Sequence, residues 1–212
     1  MKSEELQSIV ITGASQGVGK ACALACARQK RHVILVARNA EKLSALQSQI
    51  EAQGASASHF CADLSEPGGI AALCAEIRNL RTSPSALIHA AGTANSHKAE
   101  DFDLDTASRM MMLNAFAFQA LAAAMIPAMK KAGSGSLVGI ASVAGLRGYP
   151  YIGAYAASKH ALVGAIRVIA KEVAAKGIRA NAICPGYLDT EMTQNSIANL
   201  SAKTGKNLAE SR

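Results

Sequence analysis

The segment GAYAASKHALVGA, residues 153–165, places a tyrosine, Tyr155, and a lysine, Lys159, four residues apart in an alanine-rich run. In a helix, residues at this spacing lie on the same face, so the phenol and the ammonium can reach the same point in space. A nearby cation favours the ionised form of a tyrosine and brings its pKa closer to the range useful for proton exchange. The pair therefore predicts acid–base chemistry, and a half-buried tyrosine beside a surface lysine is the structural alternative.

Two further polar residues, Ser142 and Asn114, precede Tyr155 by 13 and 41 positions. Ser142 ends the apolar run LVGIAS, which is typical of a buried strand, and ligands bind at the ends of such strands in open parallel sheets. Taken singly, the serine is also consistent with a capping residue and the asparagine with local hydrogen bonding.

The segment TGASQGVGKA contains three glycines, Gly13, Gly17 and Gly19, directly after an apolar run. Glycines let the backbone turn tightly and approach a ligand, and a helix that opens at this point presents free N–H groups and the positive end of its dipole. This arrangement predicts a pyrophosphate site. A plain strand-to-helix turn is the alternative, but the position after the first strand favours the binding site.

The second apolar run ends in VARN, with the small Ala37 followed by Arg38. A carboxylate at this position would accept the ribose hydroxyls of NAD and repel a 2′-phosphate. The planar guanidinium of Arg38 instead suits phosphate oxygens, so we expect NADP in preference to NAD. The alternative is a solvated arginine in a loop.

The elements that must position these residues alternate along the whole chain. Six short apolar runs predict strands: SIVIT, HVILVAR, SHFCADL, ALIHAAG, GSLVGIAS and IRANAICPG. Helix-length segments separate them, at about 17–30, 40–53, 66–80, 103–131 and 152–176. Strand and helix repeated in this way require a parallel sheet with right-handed crossovers and helices on both faces.

Composition narrows the classes of partner. The net charge of +7 comes from Lys and Arg spread along the chain, with only 4% aromatic residues and no tryptophan to interleave with them, so we expect no nucleic acid. Neither a signal peptide nor an apolar run of about 18 residues is seen, so we expect no membrane span. The five cysteines lack CxxC spacing and the histidines lack metal-ligand spacing, which predicts a cytoplasmic protein without a metal.

Several stretches together resemble the short-chain dehydrogenase/reductase family in order and spacing. They are the turn G-x-x-x-G-x-G, ADL (62–64), HAAG (89–92), PGYLDT (185–190), and Tyr155 with Lys159 at the family's distances from Ser142 and Asn114. The resemblance covers nearly the whole chain and implies an α/β fold, a Rossmann-like doubly wound parallel sheet in three layers, αβα. It implies cofactor contacts from Gly13, Ser15, Gln16, Gly17, Val18, Gly19, Arg38, Asn39, Asp63, Leu64, Ala91, Gly92, Tyr155, Lys159, Pro185, Gly186 and Thr190.

The same resemblance implies catalytic roles. Tyr155 is the general acid in ketone reduction, and Ser142 hydrogen-bonds the carbonyl oxygen. Lys159 binds the nicotinamide ribose and tunes Tyr155, while Asn114 holds a water in a proton relay to Lys159. Thr190 bonds the carboxamide of the nicotinamide and fixes which ring face is exposed.

Two positions depart from the family's pattern. The common NNAG is replaced by HAAG, so His89 and Ala90 stand where two asparagines are usual, which puts some hydrogen bonds of the sheet in doubt. Relatives that use NADP often carry a basic residue at the position of Gln16, which argues against NADP.

The activity that we expect is NADP-dependent hydride transfer between nicotinamide and a carbonyl or secondary alcohol. The stretch NAICPGYLDTEMT resembles 3-oxoacyl thioester reductases, which implies an acyl-thioester substrate and an acidic acyl carrier docked at Lys130, Lys131 and Lys176. The rival hypothesis is a non-catalytic NADP-binding sensor or scaffold on the same fold, which would not need Asn114, Ser142, Tyr155 and Lys159 together.

We expect residues 1–212 to form a single domain. Relatives continue for a few tens of residues with a helix and a seventh strand, so we expect this sheet to lack its usual C-terminal strand and the chain to be truncated. The helical segments 103–131 and 152–176 carry more apolar residues than one sheet face needs. The resemblance implies that they pair with a second subunit in a homodimer or homotetramer.

Overall fold

The computed structural model describes residues 8–188 and residue 194. Its centre is a six-stranded sheet in the order β3-β2-β1-β4-β5-β6, and every neighbouring pair of strands is parallel. The strands are β1 (Ser8–Thr12), β2 (His32–Ala37), β3 (Ala57–Cys61), β4 (Ala86–His89), β5 (Gly135–Ile140) and β6 (Ile178–Ile183). The expected doubly wound α/β sheet is confirmed, with β6 at one edge of the part of the sheet that the structure describes.

Each crossover between strands contains a helix close to its expected place. The α-helices are α1 (Gly17–Arg28), α2 (Ala40–Glu51), α3 (Pro67–Asn79), α4 (Leu104–Met111), α5 (Ala117–Ala132) and α6 (Gly153–Val173). The five predicted helical segments begin within one residue of the observed starts of α1, α2, α3, α4 and α6, and α5 begins inside the fourth segment. Pro67 begins α3, where its missing N–H costs nothing, and Gly133 ends α5 in the left-handed conformation with φ of +69°.

Two separate groups of buried side chains lie on the two faces of the sheet. Successive residues of a strand point to opposite faces, so Val10 joins one group and Ile11 the other. Helices α1 and α2 cover the group with Ile11, while α3, α5 and α6 cover the group with Val10. The result is the three-layer αβα arrangement.

The segment predicted as one helix over 103–131 is continuous but contains a wider turn. Residues Met112–Phe116 form a π-helix between α4 and α5, and the N–H of Ala117 donates to the carbonyl of Met112. The whole segment, Leu104–Ala132, is the one helix in the described chain that is long and apolar enough to cross a membrane. It packs against α3 and α6, and half of its most apolar window is buried, as is usual for a core helix.

Candidate active site

A cavity of about 690 Å³ runs along the carboxyl edge of the sheet. It is lined by residues that follow all six strands, because parallel strands end at the same edge. Every cofactor contact implied by the resemblance lies on this lining except Thr190, which falls outside the described residues. Of the four expected catalytic residues, Ser142, Tyr155 and Lys159 line the cavity, and Asn114 lies behind its wall.

The glycine turn closes one side of this cavity by packing backbone against backbone. A Cβ atom on Gly19 would lie 2.2 Å from the carbonyl oxygen of Gly13, and one on Gly13 would lie 2.7 Å from Ala90. Gln16, the N-cap of α1, makes no side-chain cap bond, so the first N–H groups of the helix remain available to an anion. The turn therefore fits a pyrophosphate.

At the other end of the cavity, Lys159 is held inside the fold. Its ammonium is almost fully buried and donates to the carbonyl of Ile140 at 2.8 Å. Burial lowers the pKa of Lys159 to about 8, and the nearby Cys184 acts in the opposite direction. Gly92 lies against both polar groups, since a Cβ at this position would crowd Asn114 Oδ1 at 3.1 Å and would lie 3.5 Å from Lys159 Nζ.

The Tyr155 hydroxyl differs from the expectation in one respect. We expected Lys159 to lower the pKa of Tyr155, but Lys159 Nζ lies 5.8 Å from the centre of the tyrosine ring and is bonded to Ile140. Burial raises the pKa of Tyr155, and a hydrogen bond with the Ser142 hydroxyl opposes this rise. Tyr155 is therefore protonated at neutral pH, as a general acid must be.

Asn114 is fully buried in the π-helical turn, and its side-chain amide has three hydrogen bonds. Oδ1 accepts from the N–H of Thr93, while Nδ2 donates to the Thr93 carbonyl and to Ser158 Oγ, each at 2.9 Å. Ser158 Oγ in turn donates to the carbonyl of Tyr155 at 2.8 Å. The amide thus ties the end of β4 to the helix that carries Tyr155 and Lys159.

His89, the departure from the NNAG pattern, makes two hydrogen bonds of its own inside the fold. The ring is fully buried, with Nδ1 at 2.9 Å from Thr12 Oγ1 and Nε2 at 3.0 Å from the Leu113 carbonyl. Because a carbonyl only accepts, Nε2 carries the proton and Nδ1 accepts from the threonine. Burial, with the nearby charge of Lys159, lowers the pKa of His89 to about 3, so the ring stays neutral.

The comparison with known proteins agrees with this geometry. The family model described as short chain dehydrogenase matches residues 7–201. The chain is a short chain dehydrogenase. It is an NAD(P)-dependent oxidoreductase that acts on alcohol and carbonyl groups.

Relatives of this dehydrogenase have several substrates. A 3beta-hydroxysteroid dehydrogenase of Mediterraneibacter gnavus is 31% identical over 205 residues, 96% of this chain and 74% of the relative. A D-beta-hydroxybutyrate dehydrogenase of Rhizobium meliloti is 31% identical over 194 residues, 90% of this chain and 75% of the relative. The solved short-chain dehydrogenase from Sphingobium yanoikuyae in complex with NADPH has a TM-score of 0.86 at 29% identity, covering 96% of this chain and 77% of that one.

Sequence reasoning missed three side chains in and around the site of this dehydrogenase. Lys42 lines the cavity one helical turn after Asn39, which caps α2 by accepting from the Lys42 N–H at 2.8 Å. Ser158 anchors Asn114, and Thr12 Oγ1 accepts from the N–H of Ala91 at 3.2 Å. Of the three, only Lys42 could have been found from the sequence, because it is a basic residue in the first turn of the helix that follows Arg38.

Proposed function

We propose that this dehydrogenase prefers NADP and reduces an apolar ketone, or oxidises the matching secondary alcohol. The observation that carries the proposal is the convergence of Ser142, Tyr155 and Lys159 at one end of a cavity whose other end carries Arg38. A complete set of proton-handling groups has no use in a sensor or scaffold, so the rival hypothesis has no support.

The cofactor would lie along the cavity, with its pyrophosphate on the glycine turn and its adenosine near Arg38 and Asp63. When bound, it supplies the hydride. Tyr155 then supplies the proton to the substrate oxygen, and the Ser142 hydroxyl donates to the same oxygen as its negative charge develops. Lys159, released from Ile140, would bond the ribose hydroxyls and stabilise the tyrosinate that remains.

The preference for NADP rests on charge at the adenosine end. Arg38 lies at this end with its side chain 75% exposed, so its guanidinium can reach a 2′-phosphate. A solved relative carries NADPH, which supports the same choice. Binding constants for NADPH and NADH test it directly, and equal affinities would contradict it.

The proposal of an apolar substrate is supported by exposed apolar side chains on the cavity lining and next to it in the chain. Leu188 lines the cavity, Tyr187 precedes it, and Leu146 follows Ser142 closely; all three side chains are exposed. Exposed apolar side chains at these places favour substrates with an apolar chain or ring. The resemblance in NAICPGYLDTEMT makes 3-oxoacyl thioesters the first class to test.

The decisive assay follows NADPH absorbance with a matched panel: a 3-oxoacyl thioester, a ketosteroid, a short 3-oxo acid and a polar sugar ketone. We expect turnover with the first two and little with the sugar ketone. Turnover confined to the sugar ketone would contradict the apolar substrate, and no turnover with any ketone or alcohol would contradict catalysis.

The acidic carrier is a less favourable partner than a free thioester. Lys130, Lys131 and Lys176 are exposed at the C-terminal ends of their helices, which lie at the edge of the sheet opposite the cavity. Lys176 follows Tyr155 by 21 residues of nearly continuous helix, a separation of roughly 30 Å at 1.5 Å per residue. A carrier docked there would have to present its substrate across the height of the domain.

We also propose that two copies pair through the long helical segments. Leu104, Phe116 and Val168 expose large apolar side chains on α4, the π-helical turn and α6, at 68, 48 and 57%. Burial of these groups against a second copy would remove them from water. Light scattering should give a dimer or tetramer, and Val168→Glu should shift it toward monomer.

The cytoplasmic location is likewise a proposal. All five cysteines are free thiols in the structure, and two of them, Cys22 and Cys26, share one face of α1. Free thiols in these numbers suit a reducing compartment.

A further inference from the structure

Two helices begin side by side at the adenosine end of the cavity. Gln16 is the N-cap of α1 and Asn39 is the N-cap of α2, and both line the cavity. Lys42 lies in the first turn of α2 and also lines the cavity, with its Nζ donating to Gln16 Oε1 at 3.4 Å. This contact brings the ammonium group of Lys42 next to the neutral side chain of Gln16.

Lys42 and Arg38 differ in their acidic neighbours. Arg38 Nη1 lies 3.8 Å from Asp63 Oδ2, so a carboxylate partly offsets its charge. Within residues 8–188 no carboxylate lies within 4.0 Å of Lys42 Nζ. The ammonium has three donor hydrogens, and among the described residues its one hydrogen bond is the long bond to Gln16, which leaves donors for a ligand.

The place of Lys42 in its helix also points to an anion. The N-terminal turn of a helix carries the positive end of the dipole, where a cation is disfavoured and an anion is stabilised. A lysine at this place gains from a negative group bound next to it, and the first turn of α2 favours that same group.

We propose that Lys42 is a specificity-determining residue that binds the 2′-phosphate of the cofactor together with Arg38. Gln16 is a positioning residue: it orients the Lys42 ammonium and so replaces the basic side chain expected at its own position. The proposal rests on the preference for NADP proposed above. It assigns one of the two positive charges that would bind the phosphate to Arg38 and the other to Lys42 in α2.

The test is binding, measured by calorimetry with NADPH, NADH, 2′,5′-ADP and 5′-AMP. Lys42→Gln should weaken NADPH and 2′,5′-ADP roughly tenfold, on the strength of one charge-assisted phosphate contact, and leave NADH and 5′-AMP within about twofold. Lys42→Arg should keep the preference. Lys171→Gln removes the same charge from the exposed last turn of α6 and should change none of the four constants.

A rescue variant separates the two residues. In the Lys42→Gln background, Gln16→Lys should return most of the lost affinity for 2′,5′-ADP, because it supplies the ammonium from α1. Gln16→Ala alone should weaken 2′,5′-ADP less than Lys42→Gln does. The losses should shrink as salt is raised, since the site is exposed.

The outcomes distinguish this inference from the broader one. If the wild type binds NADPH and NADH equally, the NADP preference fails. If the wild type prefers NADPH and Lys42→Gln leaves that ratio unchanged, the preference stands and the role of Lys42 is overturned. An equal loss for NADH and NADPH would also overturn it, because a contact to the 2′-phosphate cannot act on NADH.

Discussion

At the Tyr155 end of the cavity the polar groups lie inside the fold, whereas at the Arg38 end they lie in water. Asn114 and Lys159 are buried, with bonds of 2.8 to 2.9 Å. Arg38 and Asp63 have side chains 75% and 41% exposed and meet at 3.8 Å. Packing fixes the first end, so a change there should be costly, while charge governs the second end, where water and salt weaken each contact.

The largest expected effect is at the buried end. Tyr155→Phe removes the proton donor and keeps the ring that packs in the wall, so turnover should fall roughly 100-fold or more. Cofactor affinity should change little, because the glycine turn and Arg38 are untouched. Steady-state rates and NADPH titrations check both statements, and near wild-type turnover would remove Tyr155 from the catalytic role.

The next effect is on stability. His89→Leu leaves the Thr12 hydroxyl and the Leu113 carbonyl without their ring partner inside the fold, at a cost of about 1–3 kcal/mol for each group that stays unpaired. His89→Asn keeps a donor and an acceptor and should lose less. Urea unfolding of both variants gives the comparison, and a leucine variant as stable as the wild type would show that water replaces the ring.

His89 also predicts a dependence of stability on pH. Its folded pKa of about 3 is below its ordinary value of 6.5, so the stability it contributes is complete above pH 6.5 and is lost as the pH falls toward 3. The loss approaches about 1.4 kcal/mol per pH unit within that window. Unfolding curves at pH 6 and 5 should therefore differ more for the wild type than for His89→Asn, and parallel slopes would contradict the assignment.

The smallest effect belongs to the exposed end. Arg38→Asp repels a 2′-phosphate and offers an acceptor to ribose hydroxyls, so the preference for NADPH over NADH should fall by about tenfold or more. The fold should be unaffected, because the Arg38 side chain lies in solvent. Affinities for both cofactors at low and high salt measure the change, and a ratio that did not move would refute the role of Arg38.

The sequence predicted the fold closely because strand and helix alternate without interruption. Continuous apolar runs such as HVILV are typical of central strands in a sheet that helices cover on both faces. Pro67 and Gly133 mark the start of α3 and the end of α5, because the backbone preferences of proline and glycine act locally. Strand ends were less well placed. The runs ALIHAAG and IRANAICPG continue past the ladder, since the chain stays extended while it lines the cavity.

The sequence predicted which residues line the site, but it did not predict the hydrogen bonds that their side chains make. Motif spacing brings Ser142, Tyr155 and Lys159 to one place, yet it gives no direction for a side chain. The bond of Lys159 to Ile140 and the contact between Lys42 and Gln16 join residues 19 and 26 positions apart, and tertiary packing decides such pairs. Burial, which raises the pKa of Tyr155, is equally invisible in the sequence.

The π-helical turn at Met112–Phe116 shifts the phase between two halves of one helix. An α-helix advances 100° per residue, so the wider turn leaves α4 and α5 out of step by about one residue. Deleting a single residue within this turn would let the helix close in the ordinary pattern with the flanking faces of α4 and α5 kept in place, but the wider turn that holds Asn114 would be lost. In an alignment, a one-residue gap here would mark the loss of this turn, even where the asparagine itself is still present.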